Sequence, residues 1–114
     1  MEIKYKVWIE KDGKVVFGRG RENILKAIQE GHSLNNAARK LQMSYRAAWG
    51  RLKASEQRMG MKLVESEATG KGMHLTPKAK AIIERFEQLE KDVEELLAQA
   101  NREFRALLDD DRLS

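Results

Sequence analysis

The stretch from Ser33 to Met59 constrains the fold more than any other part of this chain of 114 residues. Its first half is a short helical segment in which Ala37 and Ala38 provide small side chains. Ser44 then precedes a longer helical segment. A serine in that position can accept a hydrogen bond from the free amides of the next turn. Because small residues let two short helices cross closely, the stretch predicts a helix-turn-helix.

The second helix of this stretch is basic and aromatic, and its first acid is Glu56. Its basic and aromatic residues are Tyr45, Arg46, Trp49, Arg51, Lys53 and Arg58. This composition favours a helix that reads the major groove of DNA. The alternative is that Tyr45 packs against the first helix while Arg46 is only solvated. For Trp49, core packing and groove contact are equally consistent with the pattern.

Each candidate contact has a chemical reason. Arg46 can bind guanine O6 and N7 or a phosphate, and Tyr45 can touch a thymine methyl group or donate to a phosphate. Lys53, like Arg51 and Arg58, suits phosphate contacts, and the start of the first helix offers hydroxyl, amide and N–H groups to another phosphate. We therefore assign DNA binding to Ser33, Asn35, Ser44, Tyr45, Arg46, Trp49, Lys53, Thr69 and Lys71.

Two strand pairs flank this helical region. Residues Glu2 to Phe17 alternate between apolar and polar, around a turn signal at Asp12-Gly13, and predict a hairpin. Further along, segments 62–66 and 73–76 enclose the tip that contains Thr69 and Lys71. This second pair reads as a wing, in which the tip meets phosphates, or equally as a plain surface hairpin. The segment between the first hairpin and Ser33 predicts a helix over Arg21 to Glu30, ended by Gly31.

A long helix follows Thr76-Pro77, where threonine suits the N-cap and proline the first helical position. No Gly or Pro interrupts residues 78–108, and apolar residues recur every seven positions along two rows. At about 1.5 Å per residue, such a helix is too long for its own small domain to cover. A homodimer is the natural cover. We predict dimerisation through Ile82, Phe86, Leu89, Val93, Leu96 and Ala100.

Charge and composition limit the possible functions. Residues 14–62 carry eleven Lys and Arg against three acids, a net of +8, whereas residues 82–114 carry five against ten, a net of −5. The first half therefore suits an anionic partner. Cysteine is absent, and His32 and His74 have no partner at ligand spacing, so no metal site or cofactor is expected. No catalytic constellation and no membrane-length apolar run occur, so we expect a cytoplasmic protein that is not an enzyme.

Several motifs resemble the N-terminal domain of the ModE-type molybdate-responsive regulators, which is similar in turn to that of the LysR-type regulators. The most specific motif is MSYRAAW at Met43–Trp49, and the similarity extends from about Val15 to Leu89. The other motifs are GHSLNNAA at 31–38, FGRGR at 17–21, LVE at 63–65, TGKG at 69–72 and LTP at 75–77. Full-length members continue into modules that bind molybdate, and this chain stops at Ser114. The resemblance thus implies a stand-alone DNA-binding member that senses no molybdate itself, with an unidentified sensor protein as a possible partner.

These observations predict a mainly α fold with small β elements, a winged helix-turn-helix with an N-terminal β-hairpin and a long C-terminal dimerisation helix. The DNA-binding domain is expected over residues 1–76, the dimerisation helix over 77–108 and a disordered tail over 109–114. The expected function is sequence-specific transcriptional regulation by a homodimer on a palindromic operator in double-stranded DNA. The alternative is a protein-interaction adaptor that uses the long amphipathic helix and has no specific DNA target.

Overall fold

The computed structural model describes residues 2–68, 70, 72–110 and 112, and it is mostly helical. Its elements are β1 Trp8–Lys11, β2 Lys14–Gly18, α1 Arg19–Gly31, α2 Leu34–Lys40, α3 Tyr45–Met59, β3 Val64–Ser66, β4 Met73–Leu75 and α4 Pro77–Leu108. The strands form two separate antiparallel pairs, β1 with β2 and β3 with β4. This element order confirms the predicted winged helix-turn-helix with an N-terminal hairpin and a long last helix.

The chain divides into two compact units. The larger unit is Val7–Ile83 and contains both strand pairs, α1 to α3 and the beginning of α4. The smaller unit combines Met1–Lys6 with Glu84–Ser114. Within this smaller unit, the backbone N–H of Ile3 donates to Oδ1 of Asn101 at 2.7 Å, which ties the first residues to the later part of α4.

The first strand is shorter than the alternating pattern over Glu2 to Phe17 predicts. The β1–β2 ladder begins at the pair Trp8–Gly18, and Gly18 is the last residue before α1. Residues before Trp8 have no partner strand left, so the prediction that the strand begins near Glu2 was wrong. Ile9, on the predicted apolar face, is 41% exposed. The turn itself is confirmed, because Asp12 and Gly13 both have positive φ and link the two strands.

Helix α1 departs from its predicted bounds at both ends. It runs over Arg19–Gly31, and the left-handed residue that ends it is His32, with φ 59°. The prediction that Gly31 supplies the helix stop was therefore wrong. A Cβ at Gly31 would lie 3.0 Å from Cβ of Asn36, so glycine is needed there for the close approach of α2. The side chain of Asn36 then donates to the Gly31 carbonyl at 2.9 Å.

The core of the larger unit is built from the hairpin, the helices and the strands of the wing. Its largest fully buried apolar side chains are Phe17, Ile24, Leu25, Ile28, Leu63 and Leu75. Ile24, Leu25 and Ile28 form the inward-facing side of α1. In α3, the buried residues are Ala48, Leu52 and Ser55, which form its inward side.

The second strand pair is the wing predicted near the end of the domain. β3 and β4 pair in register from Val64–Leu75 to Ser66–Met73. The N–H of Met73 also donates to the carbonyl of His32 at 2.7 Å, which fastens β4 to the loop between α1 and α2. The wing is therefore held against the helical domain on its β4 side.

Helix α4 begins as the sequence predicted. The Oγ1 of Thr76 accepts from the N–H of Ala79 at 3.1 Å and donates to the carbonyl of Lys62 at 3.1 Å. From Pro77 to Leu108 the helix has 32 residues, which corresponds to about 48 Å. Of the tail predicted over 109–114, residues 111, 113 and 114 lie outside the described part of the chain.

The apolar rows of α4 are not equally accessible. Leu96 is 68% exposed, and Leu89, Val93 and Ala100 are partly exposed, as is Ile82 nearer the start of the helix. Phe86, by contrast, is only 2% exposed within the single chain. The prediction of Phe86 as a dimer contact is therefore corrected: its ring is already covered and belongs to the core of the chain.

Candidate nucleic-acid interface

Helices α2 and α3 are joined by a short turn whose backbone is fixed by hydrogen bonds. The N–H of Leu41 donates to the carbonyl of Ala37 at 3.0 Å, and that of Met43 donates to Ala38 at 3.0 Å. Gln42 between them has φ 56°, which lets the chain reverse within a few residues. Ala37 and Ala38 are buried, so the small side chains do lie where the two helices meet.

One face of α3 presents the predicted groove-reading side chains together. Tyr45, Trp49 and Lys53 follow each other at intervals of four residues, and Arg46 lies beside them. Tyr45 is 52% and Trp49 48% exposed, whereas Ala48 on the inward side of the helix is buried. Trp49 is therefore a surface residue, which removes the core-packing alternative, and Tyr45 is not packed away against the first helix.

Serine caps begin both helices, at Ser33 for α2 and at the predicted Ser44 for α3. The Oγ of Ser33 accepts from the N–H of Asn36 at 2.9 Å, and the Oγ of Ser44 accepts from the N–H of Ala47 at 3.0 Å. Asn35 is exposed in the first turn of α2. The start of α2 thus presents its remaining backbone N–H groups next to an exposed amide, an arrangement suited to a phosphate.

We expect Ser44→Ala to destabilise the domain by about 1 kcal/mol, because the N–H of Ala47 then loses its acceptor. Urea unfolding followed by circular dichroism measures the change. Ser44→Asn is the matched control, since asparagine caps as well as serine and should restore most of the stability. Equal losses in both variants would show that the hydroxyl does not act as a cap.

Glu56 holds the end of α3 to the wing, a role that was not predicted from the sequence. Its Oε2 accepts from the N–H of Leu63 at 2.8 Å and, more weakly, from that of Val64 at 3.4 Å. Its Oε1 accepts from Nζ of Lys53 at 3.1 Å. Lys53 is therefore paired within the free chain while remaining exposed. The only sequence signal for this role was that Glu56 is the one acid in a basic helix.

On the other flank of α3, arginines brace the helix against neighbouring elements. Nη1 of Arg58 donates to the carbonyl of Val15 in β2 at 2.6 Å. Nε of Arg21 in α1 donates to Oγ of Ser55 at 3.1 Å. Burial lowers the pKa of the Arg21 guanidinium, and the positive charges of Arg58 and Arg51 lower it further. The side chain predicted to contact phosphate, Arg58, is thus also engaged in a contact inside the domain.

The wing tip is only partly described. Thr69 and Lys71, the two predicted phosphate contacts, lie outside the described residues. Gly70 and Gly72 beside them have φ of 74° and 96°, a backbone conformation that residues other than glycine rarely adopt. The N–H of Gly70 donates to the carbonyl of Glu67 at 2.9 Å, so the tip contains a closed turn.

Two further properties concern possible partners. None of the helices that the described residues form is long and apolar enough to cross a bilayer. Over the same residues, no three acidic or histidine side chains are grouped so that they could hold a metal ion.

The fold and this surface define a winged helix-turn-helix domain of the DNA-binding class. Residues 23–80, half of the chain, match the bacterial regulatory helix-turn-helix proteins of the lysR family. The chain belongs to this family, whose members are transcription regulators.

Solved structures share this fold. A CbnR_DBD–DNA complex matches over 78% of this chain and 95% of its own length, with 22% identity and a TM-score of 0.53. A BenM_DBD complex with benA site 1 DNA matches over 73% and 91%, with 19% identity and a TM-score of 0.55. ArgP from Mycobacterium tuberculosis is 28% identical with a TM-score of 0.53; the match covers 70% of this chain and 29% of ArgP. No curated protein sequence matches the chain.

Proposed function

We propose that this chain is a cytoplasmic, sequence-specific transcriptional regulator that binds a palindromic operator as a homodimer. Each subunit places α3 in a major groove, and the wing contacts the flanking backbone. DNA binding by this domain requires no cofactor. Within the family, the MSYRAAW motif at Met43–Trp49 supports a relationship to the ModE-type regulators.

The exposed face of α3 is the observation that carries this proposal. Tyr45 and Trp49 are about half exposed and Arg46 is also exposed, so aromatic and cationic side chains project together from a helix that follows a tight turn. Exposing two large aromatic side chains next to each other is unfavourable in water unless a partner covers them. The related CbnR and BenM domains were solved as DNA complexes, which supports duplex DNA as that partner.

The later part of α4 supports the homodimer. Leu96 is 68% exposed, and Phe104, Leu107 and Leu108 are each more than half exposed. The partly exposed Leu89 and Val93 extend this apolar surface toward the middle of the helix. Pairing with the same helix of a second copy buries the surface. The two-fold symmetry of such a pair favours an operator with two related half-sites.

Selection of bound fragments from a genomic library, followed by sequencing, tests the proposal and identifies the operator. Enrichment of one palindromic motif is the expected result. Binding should also weaken steeply with salt, because Lys and Arg side chains that neutralise phosphates release counterions. No enrichment together with salt-insensitive binding would reject the proposal and favour an adaptor that acts through α4.

With the operator in hand, Arg46→Ala separates base reading from phosphate binding. If Arg46 reads a guanine, the variant loses about 1–3 kcal/mol of discrimination at one base pair. If Arg46 contacts only phosphate, all sequences should weaken alike. Gel-shift titration against single-substituted operators measures both effects, and Lys91→Ala on exposed α4 is the control for loss of one charge. Unchanged binding by Arg46→Ala would reject both roles.

A further inference from the structure

Three arginines from two helices lie near one another, and one of them is hydrogen-bonded to the buried Ser55. Arg51 and Arg58 stand four residues before and three residues after Ser55 on α3, so their side chains leave the helix on the same face as Ser55. Arg21 reaches this point from the first turn of α1, where its Nε donates to Oγ of Ser55 at 3.1 Å. Arg58 is held in place by its bond to the carbonyl of Val15. We name Arg21, Arg51 and Arg58 the arginine cluster.

The charge of the arginine cluster is not balanced within the domain. Among the described residues, no carboxylate lies within ion-pair distance of any of its three guanidinium groups. The nearby acids are engaged elsewhere. Glu22 is buried and lies 3.8 Å from Nζ of Lys26, and Glu56 is bonded to Lys53 and to the start of β3. Three like charges held close together by packing repel each other, and a bound anion relieves that repulsion.

The position of the arginine cluster on α3 indicates which anion it meets. At 100° per residue, Arg51 and Arg58 lie on the flank of α3 away from Trp49, with the exposed face that bears Arg46 between the two flanks. The Trp49 flank leads to Glu56 and the wing. A helix with its side chains is about 10–12 Å across, and the major groove is about 12 Å wide. Both flanks of α3 therefore face a phosphate wall when the helix lies in the groove.

We infer that the arginine cluster is a second phosphate-binding site, which grips the DNA strand on the side of the major groove opposite the wing. This inference rests on the proposed function. The guanidinium is the side-chain group best matched to phosphate, because its planar fork can donate two hydrogen bonds at once. Since Arg21 and Arg58 are already braced by Ser55 and Val15, little side-chain entropy is lost on binding.

Arg51→Ala tests the inference, because Arg51 is exposed and donates no hydrogen bond among the described contacts. We expect the slope of log affinity against log salt to fall by about one, as for the loss of one phosphate contact. Affinity at a fixed salt concentration should fall about tenfold, equally for the operator and for an unrelated duplex of the same length. Gel-shift or fluorescence-anisotropy titrations over a range of salt concentrations measure both quantities.

Two controls make the outcomes distinguishable. Lys91→Ala removes one positive charge from an exposed position of α4 and should leave the salt slope unchanged. The unfolding midpoint of Arg51→Ala should stay the same or rise slightly, because repulsion against Arg21 is relieved. If the wild type shows no salt-dependent DNA binding, the proposed function fails. If the wild type binds DNA but Arg51→Ala keeps the same salt slope, only the inference is overturned. The inference is also overturned if Arg51→Ala changes the self-association of the free protein instead of its DNA binding.

Discussion

Leu96→Glu is expected to convert the proposed homodimer into monomers and to abolish tight operator binding. Leu96 is the most exposed apolar residue in the seven-residue rows of α4. Burying one leucine stabilises an interface by about 1.5–3 kcal/mol. Because a two-fold dimer contains Leu96 once in each subunit, the substitution removes about 3–6 kcal/mol in total. The dimer dissociation constant should therefore rise by roughly 10²- to 10⁴-fold. Analytical ultracentrifugation and gel-shift titration measure the two effects.

Ala98→Glu is the matched control for that experiment. It adds the same negative charge two residues away, at an exposed position outside both apolar rows. Because leucine, alanine and glutamate all have good helix propensity, neither variant should disturb the helix itself. Ala98→Glu is expected to remain dimeric. A Leu96→Glu variant that stays dimeric would contradict the assignment of this row, and a monomeric wild type would refute the homodimer.

Phe17→Ala should cost about 3–5 kcal/mol of the free energy of unfolding. Phe17 lies in β2 and is fully buried, so its removal leaves a cavity in the core rather than an exposed gap. A domain of this size has only about 5–15 kcal/mol of stability in total. The N-terminal hairpin is thus expected to be an integral part of the fold rather than an attachment. Urea unfolding followed by circular dichroism gives the value.

Ile9→Ala provides the comparison within the same hairpin. Ile9 is paired with Phe17 across the β1–β2 ladder, yet it is 41% exposed. Its truncation removes little buried surface and should cost less than about 1 kcal/mol. If Phe17→Ala were no more destabilising than Ile9→Ala, the hairpin would not contribute to the core in the way that its burial indicates.

The sequence by itself determined the features that depend on local hydrogen bonds and on periodicity. Ser33, Ser44 and Thr76 act as caps because their hydroxyl groups need only the amides of the following turn. The turn at Asp12-Gly13 and the uninterrupted helix α4 likewise depend on residues that are close in sequence. For α3, one helical period placed Ala48 and Leu52 on the inward side, whereas the exposure of Tyr45 and Trp49 was settled only by the structure.

Only the tertiary structure decided the features that depend on contacts between distant segments. His32 rather than Gly31 ends α1, and the glycine at 31 instead leaves room for Asn36 of the next helix. Phe86 fits the seven-residue spacing of an interface residue, yet it is covered by its own chain. Arg21 is 34 positions from Ser55, and no pattern in the sequence brings them together. Local chemistry specifies where helices begin and strands turn, whereas the packing of those elements selects which side chains remain for a partner.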